Sequence, residues 1–140
     1  MNVKRLHRVL FVGAACVAGA VGYSIYVSKG RAEVREATER IAVLIAHGDK
    51  AGLEREPLLD GRPGTHDWLL AKKPWLDRGY RIAVVRNGAN GYTVFNREDV
   101  SHLGYIETSS GTLTLAFQCD DSGRPTFVVA TASNLRVVRN

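Results

Sequence analysis

The longest run of hydrophobic positions lies near the N-terminus. Nineteen residues without a charge, Val9–Val27, follow the basic residues Lys4, Arg5 and Arg8. As a helix, this run is about 28 Å long, which matches the hydrocarbon core of a bilayer. The predicted domain organisation is a basic flank over residues 1–8, a transmembrane helix over 9–27, a hinge over 28–30 and a soluble domain over 31–140.

Two other interpretations of the run stay open. The small residues Ala18-Gly19-Ala20 are typical of a cleaved signal peptide, and Cys16 would be the modified residue of a lipoprotein. The apolar run continues through Ser24–Val27, beyond both positions, which favours an anchor. The basic flank favours a cytoplasmic N-terminus and a domain outside the cytoplasm.

Small residues recur along one face of the predicted anchor. Ala14, Ala18 and Gly22 are spaced by four positions, and Ala15 and Gly19 lie beside them. Such a stripe lets a second helix approach closely, so we expect these five residues to contact a protein partner or a second copy within membrane lipid. The alternative is that alanine and glycine are simply common in membrane helices.

The next segment has helical periodicity. Over Arg31–His47 the apolar residues recur every three or four positions, and Glu36 and Arg40 have the spacing of an ion pair. Gly48 is a helix stop and Asp49 a cap for a short helix. The predicted elements that follow are a helix over Lys50–Arg55, a loop over Leu58–Gly64 and a helix over His66–Lys72 that Thr65 caps.

The C-terminal half has the alternation of strands. Thr112–Cys119 places Leu113, Leu115, Phe117 and Cys119 on one face. The two Asn-Gly steps within Asn87–Gly91 predict a hairpin. The other predicted elements are strands over Tyr80–Arg86, Tyr92–Phe95, Tyr105–Thr108, Thr126–Ala132 and Leu135–Val138, a helical turn from Asn96–Asp99 to Gly104, and a turn over Asp120–Pro125.

Helices followed by strands predict an α+β fold, with helices packed on a curved antiparallel sheet of four to six strands. The segment Ile41–Asp49, which contains His-Gly-Asp, and the strand blocks from Tyr80 to Val138 resemble the NTF2-like (cystatin-like) superfamily in element order. That resemblance implies a sheet curled into a cone with an apolar pocket, and its members are enzymes, carriers or assembly modules. The order of helix and sheet is also similar to type IV pilins, but their processing motif is missing.

Charge and motifs narrow the chemistry. The net charge is +5, yet without the three basic flank residues 19 basic residues become 16 against 14 acidic ones, a net of +2. This balance disfavours nucleic acid as a partner. The sequence has no nucleotide-binding, hydrolase or metal-ligand motif, so no catalytic residue, metal or cofactor is expected. We interpret Cys119 as a small buried hydrophobe, distant from any histidine.

An NTF2-like pocket would combine titratable groups with aromatic walls. The candidates in this sequence are His66, Asp67, Trp68, Trp75, Asp77 and Tyr80, although tryptophans at these positions would also fill a core. The sequence therefore favours a membrane-tethered, non-enzymatic binding or assembly module, such as an accessory subunit of a membrane complex. A small NTF2-like pocket enzyme or ligand carrier is the alternative.

Overall fold

The helices and strands follow the predicted order. The computed structural model describes residues 3–87 and 100–134, and their side chains except those of residues 3–11, 26, 27 and 63. The elements are α1 (Val3–Ser28), α2 (Arg31–Ala46), α3 (Lys50–Arg55), α4 (Pro63–Leu70), α5 (Lys73–Leu76), β1 (Tyr80–Arg86), β2 (His102–Thr108), β3 (Gly111–Cys119) and β4 (Pro125–Ser133). The α+β class is confirmed, with one antiparallel sheet in the order β1-β2-β3-β4.

The N-terminal helix α1 is one continuous element. Its large apolar side chains are exposed wherever they are described, including Val17 at 64% and Ile25 at 62%. Within the described part of the chain, none of the helices combines the length and the apolar character that a membrane span requires. The structure does not describe the side chains at the two ends of the predicted span Val9–Val27, so this span stays a prediction.

Helix α2 is the central helix of the domain. Val34, Ala37, Ile41 and Ile45 are buried along one face, as the periodicity predicts. The helix stops before Gly48, whose φ is 65°, a left-handed conformation that glycine adopts without steric cost.

The sequence predicts two local contacts near α2, a cap at Asp49 and an ion pair of Arg40. Asp49 caps α3, because its Oδ1 accepts a hydrogen bond of 2.8 Å from the Gly52 N–H. Glu36 attracts Arg40 as predicted, but more weakly than Glu56 does. Arg40 donates from Nε and Nη2 to the two carboxylate oxygens of Glu56, at 2.8 and 3.0 Å, because α3 brings that buried carboxylate alongside.

The predicted boundaries of the third helix are wrong. Helix α4 begins at Pro63, whose ring suits the first turn of a helix. Thr65 therefore lies inside the helix, and its Oγ1 donates to Asp60 Oδ1 at 2.7 Å instead of capping. Pro74 lies in the first turn of the next helix, α5.

Strand β2 corrects one prediction in the middle of the sheet. Gly104 was predicted to end a helical turn, but it lies inside β2, opposite Val84 of β1 and Leu115 of β3. The strand β1 pairs along its whole length with β2, from Tyr80↔Thr108 to Arg86↔His102. The predicted hairpin partner Tyr92–Phe95, the start of the helical turn at Asn96–Asp99 and the strand Leu135–Val138 lie outside the described residues.

Strand β3 is buried on both faces. Leu113, Leu115 and Phe117 are fully buried in the main core with α2, which confirms the predicted inward face. On the opposite face, Thr112 and Ala116 are also buried, and Ala116 belongs to a second small cluster with Leu103, Tyr105, Ala83 and Val100. Both faces of β3 therefore contribute to the interior of the domain.

Candidate functional site

One end of the sheet brings together polar side chains from three strands, on the face that carries α2. Arg86 lies opposite His102, and His102 lies opposite Phe117. Side chains two positions apart on a strand share a face, so Cys119 follows Phe117 on the same side. The β-bulge at Gln118/Cys119 loosens the pairing there. This end of the sheet meets the junction between α1 and α2.

A cleft of about 290 Å³ opens at this junction. Its walls come from the α1–α2 junction, the sheet end and the β3–β4 turn. Its lining includes the side chains of Lys29, Arg86, Ser101, His102, Cys119 and Asp121. We refer to it as the junction cleft.

His102 is the most buried polar residue of the junction cleft, at 1% exposure. Its Nδ1 lies 3.1 Å from Ser101 Oγ and 3.7 Å from Cys119 Sγ. Its Nε2 is buried without a hydrogen-bond partner. Most buried polar atoms in proteins have a partner, so this nitrogen is an exception in the structure.

Burial lowers the pKa of His102 below its usual value, and the positive charge of Arg86 acts in the same direction. The backbone of Lys29, which lies nearby but outside hydrogen-bonding geometry, and the carboxylate of Glu33 oppose this shift. The net effect is that the imidazole is neutral near pH 7.

The prediction that Cys119 is distant from any histidine is wrong. The thiol is half-buried and free, next to His102. Burial raises the pKa of the Cys119 thiol, so it is protonated near pH 7. A nucleophilic cysteine needs a thiolate, which a neighbouring imidazolium or another positive group stabilises. The pair Cys119–His102 is instead a neutral, hydrogen-bonding contact.

The β3–β4 turn closes the junction cleft against the start of α2. Asp120 Oδ1 holds the turn by accepting from the N–H groups of Ser122 and Arg124 at 2.9 and 3.0 Å. The Ser122 hydroxyl, with these backbone groups, lowers the pKa of Asp120. Gly123 lies directly against Gly30: a Cβ at Gly30 would meet the Gly123 carbonyl oxygen at 2.5 Å. Lys29 Nζ also donates to the carbonyl of Asp121.

The six predicted pocket residues lie in different surroundings in the described part of the chain, and their common pocket stays a prediction. Asp67 is exposed and pairs with Lys50 at 2.8 Å. Asp77 is exposed and pairs with Lys73 at 2.8 Å. Tyr80 is exposed at the start of β1.

The other three candidates lie around α4 and α5. His66 is buried, whereas Trp68 and Trp75 pack partly buried against the main core. Lys72 Nζ lies 5.0 Å from the Trp68 ring centroid and 4.6 Å from that of Trp75, within cation–π range. Trp68 alone of the six lines a separate cleft of about 280 Å³, which also contacts Asp60, Thr65 and Val128.

The predicted membrane-contact residues all lie on exposed parts of α1. Ala14, Ala15, Ala18, Gly19 and Gly22 are exposed. A Cβ added at Gly19 or Gly22 would meet no atom within 4 Å. No part of the chain that the structure describes covers this face.

Sequence reasoning missed Ser101 and His102 as site residues. His102 was assigned to a helical turn, and its proximity to Cys119 follows only from the pairing of β2 with β3. No group of three metal-ligating side chains is found among the residues described. The chain matches no protein-family model, no curated protein and no solved structure.

Proposed function

We propose that this chain is a membrane-tethered, non-enzymatic binding module, in which α1 is the anchor. This proposal rests on one observation, which is that the large apolar side chains of α1 are exposed wherever they are described, from Val12 to Ile25. Burying one such side chain contributes about 1.5–3 kcal/mol, so a helix with many of them is stable only against lipid or another apolar surface. The uncharged run Val9–Val27 supports lipid as that environment.

The orientation that we propose follows from the flanking charges. Lys4, Arg5 and Arg8 precede the run, and basic residues are retained on the cytoplasmic side. The α+β domain is then outside the cytoplasm, directly beyond the membrane surface, because α2 begins three residues after α1 ends.

The anchor also supplies a surface for association. Ala14, Ala18 and Gly22 turn about 400° per step of four residues, so they lie nearly above one another, and nothing in the described chain covers them. A second helix that approaches this face gains dispersion contacts, which drive helix association in lipid. We propose an accessory subunit of a membrane complex, or a homo-oligomer, held together through this face.

The test replaces Ala18 by Ile. The larger side chain would hold a neighbouring helix away, while the helix remains apolar and still inserts. The matched control is Val17→Ile, which adds bulk about 100° around the helix. With tagged and untagged full-length copies solubilised in mild detergent, we expect Ala18→Ile to reduce co-purification of the partner or second copy, and Val17→Ile to leave it unchanged. Equal co-purification for both variants would contradict association through this face.

The second candidate function is binding of a small ligand in an NTF2-like pocket. The cleft beside Trp68 favours it, because an indole wall with Asp60 and Thr65 at its edge offers apolar contact and polar groups together. An anilinonaphthalene dye added to the full-length protein would quench Trp68 emission if the cleft binds apolar molecules. Trp68→Ala removes the indole wall and should weaken dye binding, measured from the dye's own fluorescence, and Trp75→Phe should leave that binding unchanged. Equal binding in both variants places the dye elsewhere.

A further inference from the structure

The junction cleft contains a buried histidine at the point where the N-terminal helix joins the domain. Two contacts hold this point together: the backbone approach of Gly30 to Gly123 and the hydrogen bond from Lys29 Nζ to the carbonyl of Asp121. We call these two contacts the junction clamp. Lys29 and Gly123 also line the cleft around His102, so the residues of the clamp lie beside the buried imidazole.

A protonated His102 would place a second positive charge next to Arg86, in a buried position. Arg86 of β1 faces the imidazole across the β1–β2 pairing. Among the residues that the structure describes, its other titratable or charged neighbours are Cys119 of β3, Glu33 of α2 and Lys29 of the junction. Asp120 and Asp121 of the β3–β4 turn line the same cleft, and Asp120 acts on Cys119. Of the described carboxylates, Glu33 favours an imidazolium directly, and it is exposed.

We propose that His102 is a proton-sensitive latch: when its imidazole is protonated, the junction clamp opens and α1 is released from its fixed orientation relative to the domain. Opening hydrates the imidazolium, which removes the cost of a buried charge next to Arg86. This device is independent of the proposed membrane role, because it rests only on contacts within the chain.

The direction of the pH effect follows from linkage. In the closed clamp the pKa of His102 lies below its ordinary value of 6.5, and in the open clamp it returns towards that value. The open form therefore binds the proton more readily. The ratio of open to closed clamp is constant above the ordinary pKa and rises at most about tenfold per pH unit as the pH falls below it, until the closed form is protonated too.

Hydrogen exchange of the full-length protein in mild detergent tests this proposal. Peptides that cover residues 28–34 and 120–125 report on the clamp, and a peptide from β3 reports on the core. After correction for intrinsic exchange, we expect the clamp peptides of the wild type to exchange at least severalfold faster at about pH 5 than at about pH 7.5, while β3 is unchanged.

Two variants remove the titrating group, His102→Gln and His102→Leu, so that a folding defect in one does not obscure the result. Both should lose the acid-dependent increase. The matched control is His66→Gln, which replaces another buried histidine in α4 and should keep the increase. The proposal is overturned if the wild type shows no increase, if both His102 variants retain it, or if β3 opens together with the clamp.

Discussion

A glycine in the middle of the sheet offers the sharpest test of how the domain packs. Gly104 lies in β2, beneath α2. A Cβ at this position would overlap Thr38 Oγ1 and lie 3.0 Å from Thr38 Cγ2 and 3.1 Å from Phe117 Cε2. Thr38 cannot simply turn away, because it is fully buried and its hydroxyl donates to the Val34 carbonyl at 2.7 Å. Gly104→Ala should therefore force α2 away from the sheet.

The expected cost follows from two opposing effects. Overpacking a tight core costs about 1–3 kcal/mol, and replacing glycine by alanine in a strand returns about 0.5–1 kcal/mol. Gly104→Ala should thus destabilise the domain by about 1–2 kcal/mol. Thr38→Ala removes the two Thr38 atoms that the new methyl group meets and leaves the edge of the Phe117 ring at 3.1 Å. In that background Gly104→Ala should be neutral or stabilise the domain by up to about 1 kcal/mol, which gives a coupling energy of about 1–3 kcal/mol.

Urea unfolding of the full-length protein in mild detergent, followed by tryptophan fluorescence, measures all four members of this cycle. The control is Gly64→Ala in α4, where the new Cβ meets nothing within 4 Å, and which should stabilise by about 0.5–1 kcal/mol. Two results would contradict this packing of α2 on β2. One is a Gly104→Ala variant as stable as the wild type, and the other is a double variant whose loss of stability equals the sum of the two single losses.

Further predictions concern other contacts of the domain. Phe117→Ala leaves a cavity in the main core and should lower stability by about 3–5 kcal/mol in the same urea assay. Thr114→Ala, on the opposite face of β3, should cost less than half as much. Equal costs would contradict the assignment of the larger core to the α2 side of the sheet. Arg40→Met leaves the Glu56 carboxylate, whose side chain is 3% exposed, without its guanidinium and should lower stability by about 1–3 kcal/mol. The exposed pair of Arg35 with Glu39, at 3.8 Å, provides the control, because Arg35→Met should cost less than about 0.5 kcal/mol.

Elements with a strong single period were predictable from the sequence. Helix α2 has buried residues every three or four positions, and β3 has alternating large apolar residues that pack against it. The cap at Asp49 was also predictable, because a cap depends only on residues within one turn of the chain.

Two tertiary contacts, one at Gly104 and one at Arg40, were not predictable from local signals in the sequence. Gly104 resembles a helix stop, yet it is required because α2 packs on β2 with no room for a side chain. Glu56 outcompetes Glu36 for Arg40 because the chain folds back through α3. Both outcomes depend on tertiary contacts, which override local propensity.

The junction cleft depends on strand register and on the docking of a turn. His102 and Cys119 are 17 positions apart in sequence and 3.7 Å apart in space, and a shift of one residue between β2 and β3 would put them on opposite faces. Gly30 and Gly123 similarly meet only once the sheet and α2 are in place.

The most direct test of the account is the mass of the mature protein after membranes are washed at alkaline pH. The proposed anchor requires that the full-length chain, with residues Val9–Val27 intact, stays in the washed membrane pellet. An N-terminus near Val21, in protein that the wash releases, would contradict the membrane-tethered module and indicate a cleaved, secreted domain.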